Sequence, residues 1–201
     1  MGEPYEIIGA PFTLWLAPVG TAFPLIDAAP AVAWKLVGTN GDENYTEDGV
    51  TLQHSQTINK VRTAGSVGAR KALRDAEDMM ISLTLLDMTL EQYALALNGN
   101  AVETTAAGIG TAGYKTLGLS RGEEVTTYAL LVRGPSPYAP GMNAQFEVPR
   151  CYESGSPQTV FRKGQPSGLA LQFDALEDPN AASADERFGR LVAQHLAALS
   201  E

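Results

Sequence analysis

The 201 residues include 14 Lys and Arg against 23 Asp and Glu, a formal net charge of −9, with 44% hydrophobic and only 18% charged side chains. An apolar share that high excludes a disordered chain, and a chain of this length can bury enough surface to fold as one domain without disulfide or metal staples. The acidic excess argues against a nucleic-acid binder with a broad basic surface, because affinity for phosphates comes from clustered Lys and Arg that release counterions.

Strand patterns dominate. Phe12, Leu14 and Leu16 alternate with Thr13, Trp15 and Ala17, and Val32, Trp34 and Leu36 alternate with Ala33 and Lys35. Period-two alternation predicts half-buried antiparallel strands, and Gly20, Pro24 and Pro30 mark a loop between these two. After an acidic turn over 39–49 (TNGDENYTEDG), Val50, Leu52 and Ile58 open another strand. Over 78–86, Met79, Ile81, Leu83 and Leu85 share one face, while the other face is half apolar, so this strand is expected to be covered on both sides. Further strands are expected over 114–119, 125–133, 145–152 and 168–175. Eight or so strands punctuated by Gly and Pro predict a mainly β (α+β) fold, an antiparallel sandwich or barrel in a single domain over 1–201.

Two helices are expected. Thr89 to Gln92 reads as a capping box, Leu90, Tyr93, Ala94 and Leu97 form an apolar stripe, and Asn98-Gly99 supplies a left-handed stop. A second box, Ser183 to Glu186, precedes Phe188, Leu191, Val192, His195, Leu196 and Leu199, which predicts a C-terminal helix over 183–200.

Residues 54–75 read as an extended basic loop between strands. They hold Lys60, Arg62, Arg70, Lys71 and Arg74 against Asp75 alone, and Gly65, Gly68 and Ala69 are expected to make the centre flexible. Without this segment the chain has nine cations against twenty-two acids. The sequence thus describes an acidic body with a basic arm.

No motif builds a catalytic, cofactor or metal site. Residues 108–113 match G-x-G-x-x-G, but a strand pattern follows where a dinucleotide site needs a helix, and position 133 is Arg where an acid is needed. The turn at 40–44 resembles half a calcium loop, but Tyr45 and Thr51 stand where an EF-hand needs Gly and Glu. Two histidines, His54 and His195, and one cysteine, Cys151, form no recognisable ligand set or triad, and one cysteine cannot form an intrachain disulfide. Trp15, Trp34, Phe12 and Tyr128 read as core packing rather than a sugar platform, given their place in alternating strands. The N-terminal stretch lacks the basic start and apolar run of a secretory leader, and the longest apolar stretch, 79–86, is too short to cross a bilayer. Cytoplasmic synthesis without a membrane partner is therefore expected.

Several pieces in order resemble the tail tube (major tail) proteins of long-tailed, non-contractile bacteriophages. They are residues 10–17 (APFTLWLA) with Val19-Gly20, 34–38 (WKLVG), 47–50 (EDGV), 70–74 (RKALR), 81–86 (ISLTLL) and the helix at 89–97. The pattern covers 8–100 well and the remainder in outline. The resemblance implies a β-sandwich or barrel with a flanking helix, assembled into hexameric rings that stack into a tube within the virion tail. It also implies tape measure and tail terminator or tip proteins as partners, and DNA that passes through without specific binding. An extended loop of such proteins reaches the adjoining ring, and 54–75 matches it by position. Lys60, Arg62, Arg70, Lys71 and Arg74 are then expected to meet an acidic surface such as Asp42, Glu43, Glu47 and Asp48 of the next ring. A channel that passes DNA is expected to be lined by acidic or neutral side chains. The alternatives are a carbohydrate- or calcium-binding β-sandwich module and a tail terminator or connector protein.

Overall fold

In the computed structural model, which describes residues 6–196, the alternating segments become strands. Among the described residues these are β1 (Thr13–Pro18), β2 (Lys35–Leu36), β3 (Thr51–Val61), β4 (Lys71–Leu85), β5 (Val102–Thr105), β6 (Tyr114–Leu117), β7 (Thr127–Pro135), β8 (Asn143–Glu153), β9 (Leu169–Ala175) and β10 (Arg190–Ala193), with helix α1 (Leu90–Leu95) between β4 and β5. Eight strands form one antiparallel sheet in the order β2-β1-β7-β8-β9-β4-β3, with β10 added on β8, while β5 and β6 pair separately.

β8 turns this sheet into a sandwich. Its first part, 144–147, lies between β7 and β10, whereas Cys151, Tyr152 and Glu153 pair with β9. Between these parts the register with β7 slips by one residue, a bulge that bends the strand and increases its twist. The folded-over halves enclose Leu14, Leu16, Leu130, Val132 and Val148 from one side and Ile81, Leu83, Leu85, Leu171 and Phe173 from the other. Tyr45 pins the edge of this core. Its hydroxyl donates to the Val37 carbonyl at 2.8 Å and accepts from the Leu14 amide at 3.2 Å, so a buried polar group is satisfied twice.

The outer face of β1 and β7 is also covered. Ala17, Ala129 and Leu131 pack with Trp34, Trp15 and Phe23, and the Trp34 indole donates to the Ala22 carbonyl at 3.1 Å. This explains a correction: the strand expected through Val32, Trp34 and Leu36 shrinks to two residues. Trp34 is drawn across the outer face, and Val32 is left 99% exposed.

The flanking helix follows its sequence signals, with one change. Thr89 Oγ1 accepts from the Gln92 amide at 3.3 Å, and Asn98 (φ 66°) and Gly99 (φ 73°) carry the chain out of the helix through left-handed conformations. Gln92, however, does not complete the box; its Oε1 accepts from the Gly38 amide at 3.0 Å and ties α1 to the segment after β2.

The helix expected over 183–200 is absent from its described part, 183–196. Ala184–Glu186 make a single 3-10 turn, the Ser183 side chain caps nothing, and Arg190–Ala193 form β10. Residues 197–200 of that expectation lie outside the described residues. The cause is tertiary. Arg190 Nε donates to buried Glu147 at 2.6 Å, and a side chain at Gly189 (φ 116°) would run into the Glu147 carbonyl. These long-range contacts outweigh the helical spacing.

Candidate assembly surfaces

The segment expected as a basic loop is a β-ribbon. β3 and β4 pair from Thr51↔Ser82 to Val61↔Lys71, but β9 borders β4 only from Met80 to Leu85. Beyond that point two strands continue alone, with β3 from Gln53 onward and β4 up to Asp78 exposed. At 3.3–3.4 Å per residue this free portion, Gln53–Val61 against Lys71–Asp78, reaches roughly 25–30 Å, excluding its tip. The tip closes with Arg70 N donating to Val61 O at 2.9 Å, and Gly65 and Gly68 are confined to it. The β-branched and alternating residues Thr57, Ile58 and Val61 explain why the flanks are strand rather than open loop.

Four of the five ribbon cations, Lys60, Arg62, Arg70 and Lys71, make no ion pair among the described residues. Arg74 differs. Its Nε donates to Gln56 Oε1 at 3.1 Å and its guanidinium reaches Glu77 at 3.2 Å. Apolar side chains lie among these charges: Ile58, Val61 and Leu73 are about 40% exposed and Val67 is 98% exposed. A strand edge is open as well, since among the described residues β3 ends the sheet and pairs with β4 alone.

The acidic residues sit at the other end of the same two strands. Asp42 and Glu43 lie in a 3-10 turn (Gly41–Asn44), where Asp42 accepts from Thr13 Oγ1 at 2.7 Å. Glu43, Glu47 and Asp48 are exposed. Thr46 N donates to Thr84 O and Leu86 N donates to Asn44 O, so this turn is fastened to the end of β4 remote from the ribbon tip. The eleven residues of β3 separate Asp48 from Arg62, roughly 35 Å of strand. The structure therefore groups the acids at one end and the cations at the other. One molecule cannot bring the two groups together.

Over residues 51–55, 78–85 and β9, the face opposite the core is largely polar and carries no cation, whereas Lys71, paired with Val61, lies on its continuation at the ribbon tip. Cross-strand partners share a face, and the pairs Gln53↔Met80, Ser55↔Asp78, Ser82↔Gln172 and Met80↔Asp174 all lie on it. It is less covered than expected from its half-apolar pattern: Met80, Ser82 and Thr84 are only partly buried.

Elsewhere the chemistry is sparse. His54 is exposed on β3, and His195 is exposed just after β10. Cys151 is buried, and burial pushes its thiol up to about 12, which leaves it protonated and unreactive. Among the described residues no three His, Cys, Asp or Glu side chains could hold a metal ion, and no helix is long and apolar enough to cross a membrane. Gly108 to Gly113 form the turn region between β5 and β6, with a strand after them and no helix N-terminus to receive a phosphate. The four aromatic residues weighed as a sugar platform are split: Trp34 packs on Phe23 and Phe12 on Phe146, in different parts of the fold.

No family model matches this chain, and no curated protein matches it. Among solved structures, it is similar to a chain described as "Cryo-EM structure of the anti-feeding prophage (AFP) baseplate, 6-fold symmetrised". The two are 10% identical, with 96% of this chain and 94% of that chain covered, at a TM-score of 0.47.

Proposed function

We propose that this chain is a self-assembling structural subunit of a bacteriophage tail tube, without a catalytic site. Copies stack head to tail, the basic ribbon tip of one against the acidic turn of the next. The observation that carries this reading is the placement of unpaired cations and exposed acids at opposite ends of one β-ladder. Unlike surfaces at two ends make a heterologous contact, and repetition of such a contact gives an open filament rather than a closed dimer. Opposite charges fix register and speed encounter more than they raise affinity. The free edge of β3 offers unpaired backbone groups to a different surface of a neighbour in a ring.

The part of this face that carries Gln53, Ser55, Asp78 and Asp174 suits the wall of a DNA channel, because it offers phosphates no positive charge. Hexameric rings, a tape measure protein inside the tube and terminator or tip proteins at its ends complete the reading, by the sequence resemblance. Negative-stain electron microscopy of concentrated pure protein tests it. Rings or tubes are expected, and isolated monomers at every concentration would refute it.

A further inference from the structure

A groove of about 570 Å³ opens beside the end of β1, between that strand, helix α1 and the start of β5. Leu16, Ala17, Leu36, Leu95 and Val102 line it, together with Lys35, which has no ion-pair partner among the described residues. The acid at the same groove, Glu91, is already held by Lys115 at 2.5 Å. β2 pairs with only Trp15 and Leu16 of β1, so β1 runs on to Pro18 without a strand partner on that side among the described residues. An apolar groove beside an unpaired strand end fits an extended, acidic peptide with apolar side chains.

The chain carries a peptide of that chemistry. Ile7 and Ile8 are 81% and 41% exposed and follow Glu6 directly. This segment enters β1 at Thr13, the end remote from the groove, so it does not fill the groove of its own subunit. We infer that Glu6, Ile7 and Ile8 of one copy dock in the groove of a second copy, the isoleucines against its apolar walls and Glu6 against Lys35. Each copy then both gives and receives, which is the heterologous contact that closes rings. The inference rests on the self-assembly reading but concerns the lateral contact, where that reading concerns stacking.

Two singly substituted chains test it, one with Ile7→Cys and one with Ala101→Cys, mixed under mild oxidation. Cys151 is buried and does not compete. A disulfide-linked heterodimer is expected on a non-reducing gel. The linked band should be lost when the receiving chain also carries Lys35→Glu and should return when the giving chain also carries Glu6→Lys. If the band is missing while the same samples form rings or tubes, the docking is overturned and the assembly reading stands. If neither band nor assembled particles appear, both fall. A chain with both cysteines that closes its disulfide within the monomer also overturns the inference.

Discussion

Arg74 meets Glu77 at 3.2 Å although the two are three residues apart on one strand, a spacing that normally points side chains to opposite faces. The bulge makes the contact. Thr57 pairs with Ala76 and Ile58 with Arg74, so Asp75 is the extra residue and the strand changes phase across it. Arg74, Glu77 and Gln56 then share a face and bridge the point where the ribbon leaves the body. This sets Arg74 apart from the four cations nearer the tip.

Arg74→Ala should therefore loosen the ribbon without blocking assembly. Both partners are half exposed, so the global stability change should stay below about 1 kcal/mol. Hydrogen exchange is expected to quicken at the amides on either side of the bulge while the core strands stay protected. Unchanged exchange there would show that Arg74 does not hold the ribbon.

The correction at the C-terminus is testable at one glycine. Gly189→Ala places a side chain against the Glu147 carbonyl at a φ of 116°, which should cost more than about 1 kcal/mol. Limited proteolysis should then cut within 176–196 before the core opens. Equal resistance in the variant would mean that β10 tolerates the added methyl group.

Glu153 gives a pH dependence with a definite sign. Its side chain is only 3% exposed, and burial raises its carboxyl above the ordinary range, opposed by the charge of Arg121 and the Gly155 amide. The folded chain thus holds this proton more tightly than the unfolded chain. The resulting stability is full below the ordinary glutamate range and is lost as pH rises through the raised folded value. Glu153→Gln keeps an acceptor for Gly155, so denaturant unfolding should find the variant more stable than the parent at neutral pH, with the difference shrinking on acidification. A variant less stable at neutral pH would contradict this.

The channel assignment has its own consequence. Gln53→Lys with Ser55→Lys adds cations to the proposed DNA-facing side of β3. Particles built with this variant should release DNA more slowly in a fluorescence ejection assay, most clearly at low salt where phosphate contacts are strongest. Release at the parental rate would place the channel on another face.

The sequence made legible those elements whose pattern is local. Leu14 and Leu16, Ile81 and Leu83, and Leu169, Leu171 and Phe173 alternate because one face is core, and Thr89 caps its helix through a contact three residues away. β10 was hidden because Phe188, Leu191 and Val192 also fit a helical stripe, and only Glu147, far off in sequence, decides between the two. The basic cluster was visible as composition. That Arg74 has partners of its own was not, because the contact depends on a bulge that places Glu77 beside it and on Gln56 across the ladder. The separation of acids from cations was likewise invisible until β3 proved to be one unbroken strand between them.

Head-to-tail stacking through opposite charge is tested most directly by a charge swap read in tube length by electron microscopy. Arg70→Glu with Lys71→Glu should leave a folded subunit that forms no tubes, and Glu47→Lys with Asp48→Lys should do the same. All four substitutions in one chain should restore tubes, since the complementary contact is rebuilt with its signs reversed. Tubes of normal length from the Arg70→Glu, Lys71→Glu chain alone would contradict the account.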